Sequence, residues 1–261
     1  MAGLKGLPMG STYKSILRVD DNSNGVDSSL EVVTDGAGNS SAIKLGNNSF
    51  SVLPGTDGEA MLVQDSSGAT VFSVDSSSKL TRVGASRDYA NTQYTSFHMN
   101  SAWWASAVAN THHPLSFNAN MSAGAMPSFG TSTNPATTFT TADGSNTLAA
   151  DIVPTIWYIQ DNITIDAVSL IQGADTATGD TTRAHLYSYT YNSGASNTLT
   201  SGSVIAYSAD QVDAGSEQTY RNTMTVSSGD VDAGKVILAF FRSDSINSDY
   251  SVTMYIKYHI R

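Results

Sequence analysis

The sequence predicts an all-β protein: short N-terminal strands forming an intertwined shaft, then a C-terminal antiparallel β-sandwich of jelly-roll type. Three observations carry this. Ser, Thr, Asn and Gly make up about 40% of the 261 residues, while charged residues make up 14%. These small polar residues form turns, and the Glu and Lys that cover helix surfaces are scarce. Apolar runs of strand length recur between turn clusters, and no stretch alternates in the βαβ manner of a doubly wound fold. Hydrophobic residues at 40% suffice for a core, so the chain is not a disordered polymer.

Composition also excludes functions. A net charge of −10 argues against nucleic-acid binding, and zero cysteines remove disulfides, thiolate nucleophiles and sulfur metal sites. No apolar run is long enough to span a membrane, and Met1–Gly10 lacks the apolar centre of a secretory leader.

From 15 to 84, seven strands are expected: Ser15–Val19, Leu30–Val33, Ala42–Leu45, Ser49–Leu53, Ala60–Gln64, Thr70–Val74 and Lys79–Val83. Asp35-Gly36, Asn47-Asn48, Asp57-Gly58 and Ser67-Gly68 mark turns between them. Phe50-Ser51-Val52 echoes Phe72-Ser73-Val74 22 residues later, a period of shaft-repeat size. One or two large apolar side chains per strand bury little surface within one chain. Units this small need disulfides, metals or partners, so these strands are expected to pair between copies, with Phe50 and Phe72 at the interface; a loosely packed monomeric sheet domain is the alternative.

Residues 86–113 change character. Ala90, Tyr94, Phe97, Ser101, Trp104 and Val108 fall at alternating steps of four and three, a heptad-like seam. Either a short helix or an aromatic-anchored loop fits, with Tyr94, Phe97 and Trp104 as an inter-chain neck. Residues 114–150 are polar and glycine-rich, read as surface loops or an arm laid along a neighbouring subunit. Residues 151–261 carry seven strands: Asp151–Gln160, Ile163–Leu170, Arg183–Tyr191, Ser203–Ser208, Gln218–Val226, Lys235–Phe241 and Tyr250–Tyr258. Alternation in Arg183–Tyr191 puts His185, Tyr187, Tyr189 and Tyr191 on one face.

Chemistry is sparse. His98, His112 and His113 are the metal candidates, as rings of histidines around a trimer axis. Asp20, Asn22, Asn24 and Glu31 partly match a calcium loop, but on a strand background. Asp161, Asp166, Asp175, Asp180, Asp210 and Asp213 sit at turn positions, where capping explains them better than glycan cleavage does. No serine-hydrolase elbow or nucleotide-binding loop occurs. Trp103-Trp104, Trp157-Tyr158 and the tyrosine face offer flat rings for sugar stacking or for packing. Nothing calls for a cofactor.

The segments YKSILRVDDNSNGVDSSLEVVTDGAGNSSAIKLG (Tyr13–Gly46) and MLVQDSSGATVFSVDSSSKLTRVG (Met61–Gly84) resemble the proximal and shaft regions of fibre-type virion proteins of marine tailed bacteriophages. DIVPTIWYIQDNITIDAVSLIQGAD and NSDYSVTMYIKYHIR are similar to their distal domain. The resemblance implies a non-enzymatic homotrimeric virion fibre assembled in the host cytoplasm. Residues 1–46 would attach to other virion proteins, 47–85 form the shaft, 86–113 a neck and 114–150 an arm. Residues 151–261 would form a knob that binds a host-surface glycan or protein through Tyr187, Tyr189 and Tyr191. A head fibre or capsid decoration is the alternative within the virion, and a glycan hydrolase the alternative outside it.

Overall fold

The computed structural model describes residues 17–19, 26–56, 58–84, 88–100, 104–105, 107–117, 126–143, 147–246 and 249–261. The chain is all-β and divides into two compact units, Met1–Ala90 and Asn91–Arg261.

In the first unit, β1 (Arg18–Val19), β2 (Glu31–Thr34), β3 (Ser40–Leu45) and β4 (Phe50–Val52) form one antiparallel meander. A second meander contains β5 (Glu59–Gln64), β6 (Thr70–Asp75), β7 (Leu80–Val83) and β8 (Asp88–Tyr89). All seven expected strands are present. A boundary at residue 46 does not separate modules, because β4 pairs with β3 across it.

The two meanders repeat one plan at a spacing of 30 residues. Asp35 accepts backbone N–H groups from Ala37 and Asn39, and Asp65 accepts the equivalent pair from Ser67 and Ala69. Gly38 and Gly68 close these turns at φ 87° and 85°, a left-handed conformation that favours glycine. The β3–β4 pairs Ile43↔Val52, Lys44↔Ser51 and Leu45↔Phe50 recur as Ser73↔Arg82, Val74↔Thr81 and Asp75↔Leu80. The 22-residue echo is therefore not the repeat: Phe50 lies on the third strand of its plan and Phe72 on the second.

Little of this unit is core. Among its described residues Val33 is the one buried hydrophobic side chain, while Phe50 and Leu53 are each 60% exposed. Met61, Leu62, Val63 and Val71 are also exposed, and Phe72 is half-buried.

The second unit contains β9 (Thr92–Met99), β10 (His113–Pro114), β11 (Trp157–Tyr158), β12 (Ile163–Ala174), β13 (Thr181–Tyr191) and β14 (Leu199–Tyr207). They are followed by β15 (Gln211–Val212), β16 (Gln218–Val226), β17 (Asp230–Val231), β18 (Lys235–Ser243) and β19 (Ser251–Ile260). One sheet has the order β9-β19-β12-β16 and the other β10-β18-β13-β14, with β17, β11 and β15 as short additions. Counting the eight principal strands in chain order, the sheets read first-eighth-third-sixth and second-seventh-fourth-fifth. That nesting is jelly-roll order. The edges are stitched by Ala206↔Val226 and Tyr207↔Thr225 on one side and by the His98↔Ser116 bridge on the other.

Between the sheets lies a large core that includes Ile165, Val168 and Leu170 of β12, Leu186 of β13, Ile237 and Phe241 of β18, and Met254 and Ile256 of β19. Burying each such aliphatic side chain contributes about 1.5–3 kcal/mol. The alternate residues Val236, Leu238 and Phe240 point the other way, into a second apolar layer with Tyr187, Tyr189, Phe129, Phe139 and Ile152.

Four expectations are corrected here. Residues 92–99 form a strand, not a helix, and pair with β19 from Thr92↔His259 to Met99↔Val252. Its Thr, Gln and Ser suit a pleated strand better than a helix interior, and alternation sends Phe97 and Met99 inward together. Phe97 and Trp104 are not inter-chain residues: they are 0% and 1% exposed within their own unit, where Trp104 packs edge-on against Phe241 and Tyr250. The described part of 114–150 is not an arm reaching to another subunit, because Phe129, Ala136 and Phe139 cover the outer face of β13 and β18. The run Asp151–Gln160 is also not one strand. Pro154 sits in a turn of 3-10 helix after the helical turn α1 (Ala149–Ile152), leaving only Trp157–Tyr158 extended.

Candidate functional site

The tyrosine face of β13 is where the sequence places recognition, and the structure divides it. Tyr189 is 0% and Tyr187 4% exposed, under Phe129, Ala136, Phe139 and Ile152. The Tyr189 hydroxyl donates to the Ala136 carbonyl at 2.8 Å, and its ring packs against Phe129 and Phe240. Burial raises its pKa. These two tyrosines are packing residues and are unavailable to a ligand. Tyr191 remains exposed at the end of the strand, and Tyr94 is exposed on the outer face of the other sheet.

The histidines are equally instructive. His113 is enclosed, accepts the Val108 N–H at Nε2 (2.9 Å) and places Nδ1 3.0 Å from the Pro127 carbonyl. Those partners fix a neutral ring protonated at Nδ1. His112 holds the Ser132 carbonyl at 3.0 Å. His98 is exposed on β9. The three do not converge, and no cluster of three metal-binding side chains occurs among the described residues. Asp20, Asn22 and Asn24 lie outside the described residues, as does Trp103; Glu31 is half-buried on β2.

What sequence reasoning missed lies two residues back along β13. Arg183 and His185 share the tyrosine face, but here the covering segment ends and the face opens into a cleft of about 390 Å³. Thr133 and Asn134 form one wall, and Tyr207 and Ser208, at the end of β14, form the other. The hairpin register places Tyr207 opposite His185. Arg183 binds Asp210 through two parallel hydrogen bonds, Nε–Oδ1 at 2.6 Å and Nη2–Oδ2 at 2.8 Å. A smaller hollow beside it joins Arg183 and Asp210 to Asn110, Arg242 and Asp244. Tyr207 is 43% exposed.

His185 forms the floor, 2% exposed, with the His112 ring edge-on at 5.0 Å. The Nδ1 atoms of both rings are buried without a hydrogen-bond partner. Each such orphan costs about 1–3 kcal/mol, a cost that local structure does not recover. Burial lowers His185 to about 3, with the adjacent His112 and then the positive charges of Arg183 and Arg242 adding to the drop; burial, with Arg242 and Arg183 adding, lowers His112 to about 4. Both rings are neutral near pH 7.

Below this end of the sandwich, the Tyr250 hydroxyl lies 2.9 Å from Asp213 and 3.2 Å from Asp180. Gln172 donates to Asp213 and to Thr182. Burial raises Asp213, and the nearby Asp180 adds to the rise. Asp213 is 2% exposed, so this carboxylate pair ties strands together rather than facing a cleft.

The cleft and the hollow sit at the end of the unit holding Thr182, Ser243 and Val252. The chain enters at the opposite end, where Asn91 binds the Ile260 carbonyl. No helix among the described residues is long and apolar enough to cross a membrane. No family model and no curated protein matches the chain.

Proposed function

We propose that this chain is a non-enzymatic, self-associating virion protein of fibre type. Its N-terminal unit pairs with two further copies, and its jelly-roll unit is turned towards the host surface. The observation that carries this reading is the exposure of Phe50, Met61, Leu62 and Val63 on strands that have almost no core of their own, with Leu53 exposed just beyond β4. A row of exposed apolar strands is a template for pairing with other chains, and three copies enclosing them remove it from water. Phe50, Phe72 and Tyr94 remain as interface residues in this proposal. The N-terminal region attaches to other virion proteins.

The polar groups support a structural and recognition role over catalysis. His113 spends both ring nitrogens on main-chain partners, and the buried Asp213 is held by Tyr250 and Gln172. The sandwich presents its cleft at the end opposite its chain entry, which suits a distal domain meeting a cell envelope. Immunogold electron microscopy of purified phage particles, with antibody raised against 151–261, tests the assignment. Label at the tips of thin appendages is expected. Particles without label, beside abundant unassembled protein, would remove the virion role.

A further inference from the structure

We infer that the cleft on the outer face of β13, between Tyr207 and Asn134, is a subsite for a neutral saccharide. The inference deepens the recognition reading and rests on it only for the source of the sugar, a host surface.

Arg183 and Asp210 neutralise each other in a two-bond pair, and Arg242 and Asp244 balance each other formally in the adjoining hollow. A site with no net charge has little to offer an anion or a cation. It offers donors and acceptors side by side instead. Arg183 retains N–H donors beyond the two given to Asp210, and the Asp210 oxygens retain lone pairs beyond the two they accept. A sugar hydroxyl is donor and acceptor at once, so neighbouring hydroxyls can bridge such a pair without displacing it. An isolated amine, carboxylate or alkyl group cannot.

Shape points the same way. Tyr207 offers an exposed ring at the wall, which suits the apolar C–H face of a hexose. The 390 Å³ volume falls within the about 300–1,000 Å³ of ligand sites. Asn134 and Thr133 supply exposed polar side chains on the opposite wall. The floor is rigid and already desolvated, because His185 is enclosed between His112 and Tyr187. A preorganised floor lowers the ordering cost of binding.

The test uses the full-length chain. Saturation-transfer NMR would be run with the methyl glycosides of glucose, mannose and galactose, and with N-acetylneuraminic acid as an anionic control. Transfer to at least one neutral hexoside is expected, with affinity falling about tenfold in Tyr207→Ala through loss of the stacking ring. Asp210→Asn should weaken the same hexoside, and neither exposed substitution should shift the tryptophan-detected unfolding midpoint. If Asp210→Asn does not fold, Tyr207→Ala alone decides. Absence of transfer to every neutral hexoside, preference for the anionic sugar, or binding unchanged in Tyr207→Ala overturns the inference. Failure here with labelled particles leaves the virion role standing. Binding with unlabelled particles does the reverse.

Discussion

Truncating Tyr189 separates a packing role from a recognition role for the tyrosine face. Tyr189 is wholly buried, its hydroxyl bonded to the Ala136 carbonyl at 2.8 Å and its ring lodged among Phe129, Phe240 and the backbone of Gly202. Tyr189→Phe removes the donor alone and leaves the carbonyl unpaired, for about 1–2 kcal/mol. Tyr189→Ala also empties the ring site, for about 3–5 kcal/mol. In a unit of this size each kcal/mol moves the midpoint by about 2–4 °C, so Tyr189→Ala should lose about 6–20 °C. Gly202 adds a cross-check. A Cβ there would lie 2.9 Å from Thr137 Cα and from Tyr189 Cδ1, closer than real Cβ contacts come. Gly202→Ala should therefore cost about 1–3 kcal/mol alone, and less in a Tyr189→Ala background, where half of the clash is gone. All three tryptophans belong to the Asn91–Arg261 unit, so tryptophan emission during thermal unfolding reports this unit. A Tyr189→Ala midpoint within about 2 °C of the parent would refute the packed-layer account.

Two further predictions concern the same unit. Trp104→Ala should cost about 3–5 kcal/mol by leaving a hole against Phe241 and Tyr250, with no change in oligomeric state; loss of assembly with an unchanged midpoint would return Trp104 to the interface. Acid should destabilise the unit between pH 7 and 5. His112 and His185 stay neutral in the fold, so only the unfolded chain takes up protons below about pH 6.5, and stability falls by about 1.4 kcal/mol per histidine per pH unit. His113, also lowered by burial, adds to the slope. Arg183 and Arg242 reinforce it, Asp210 opposes it at His185, and the raised Asp213 works against it. A urea midpoint that is flat from pH 7 to 5 would contradict the enclosure of these rings.

Much of the fold was legible in the sequence because strands and turns are local. Period-two alternation and Asp/Gly turns located all seven expected N-terminal strands and six of the seven expected C-terminal ones, with ends shifted by a few residues, but not the short β8. The 30-residue repeat was hidden because only Val33/Val63, Asp35/Asp65 and Gly38/Gly68 are identical across 31–54 and 61–84, whereas Phe-Ser-Val is the more visible coincidence. Strand β9 was ambiguous for a related reason: six residues chosen from a polar segment fit steps of three and four while its true period is two. Alternation correctly grouped His185, Tyr187 and Tyr189 on one face. What covers that face was not local information, since Phe129 and Phe139 come from an aperiodic segment more than forty residues earlier. The cleft was invisible for the same reason. Arg183 and His185 alternate together, but their meeting with Tyr207 and Asp210 depends on a hairpin register with two irregularities, between Leu186/Tyr187 and Ser188/Thr190.

The central claim is that the N-terminal unit, with Val33 alone as buried apolar side chain among its described residues, is completed by other copies of the chain. Sedimentation equilibrium of the purified full-length protein at micromolar concentration measures this most directly. A single species at three times the 27.5 kDa chain mass is predicted, dissociating only as the N-terminal strands unfold. A species of 27.5 kDa with its N-terminal strands folded would contradict the claim.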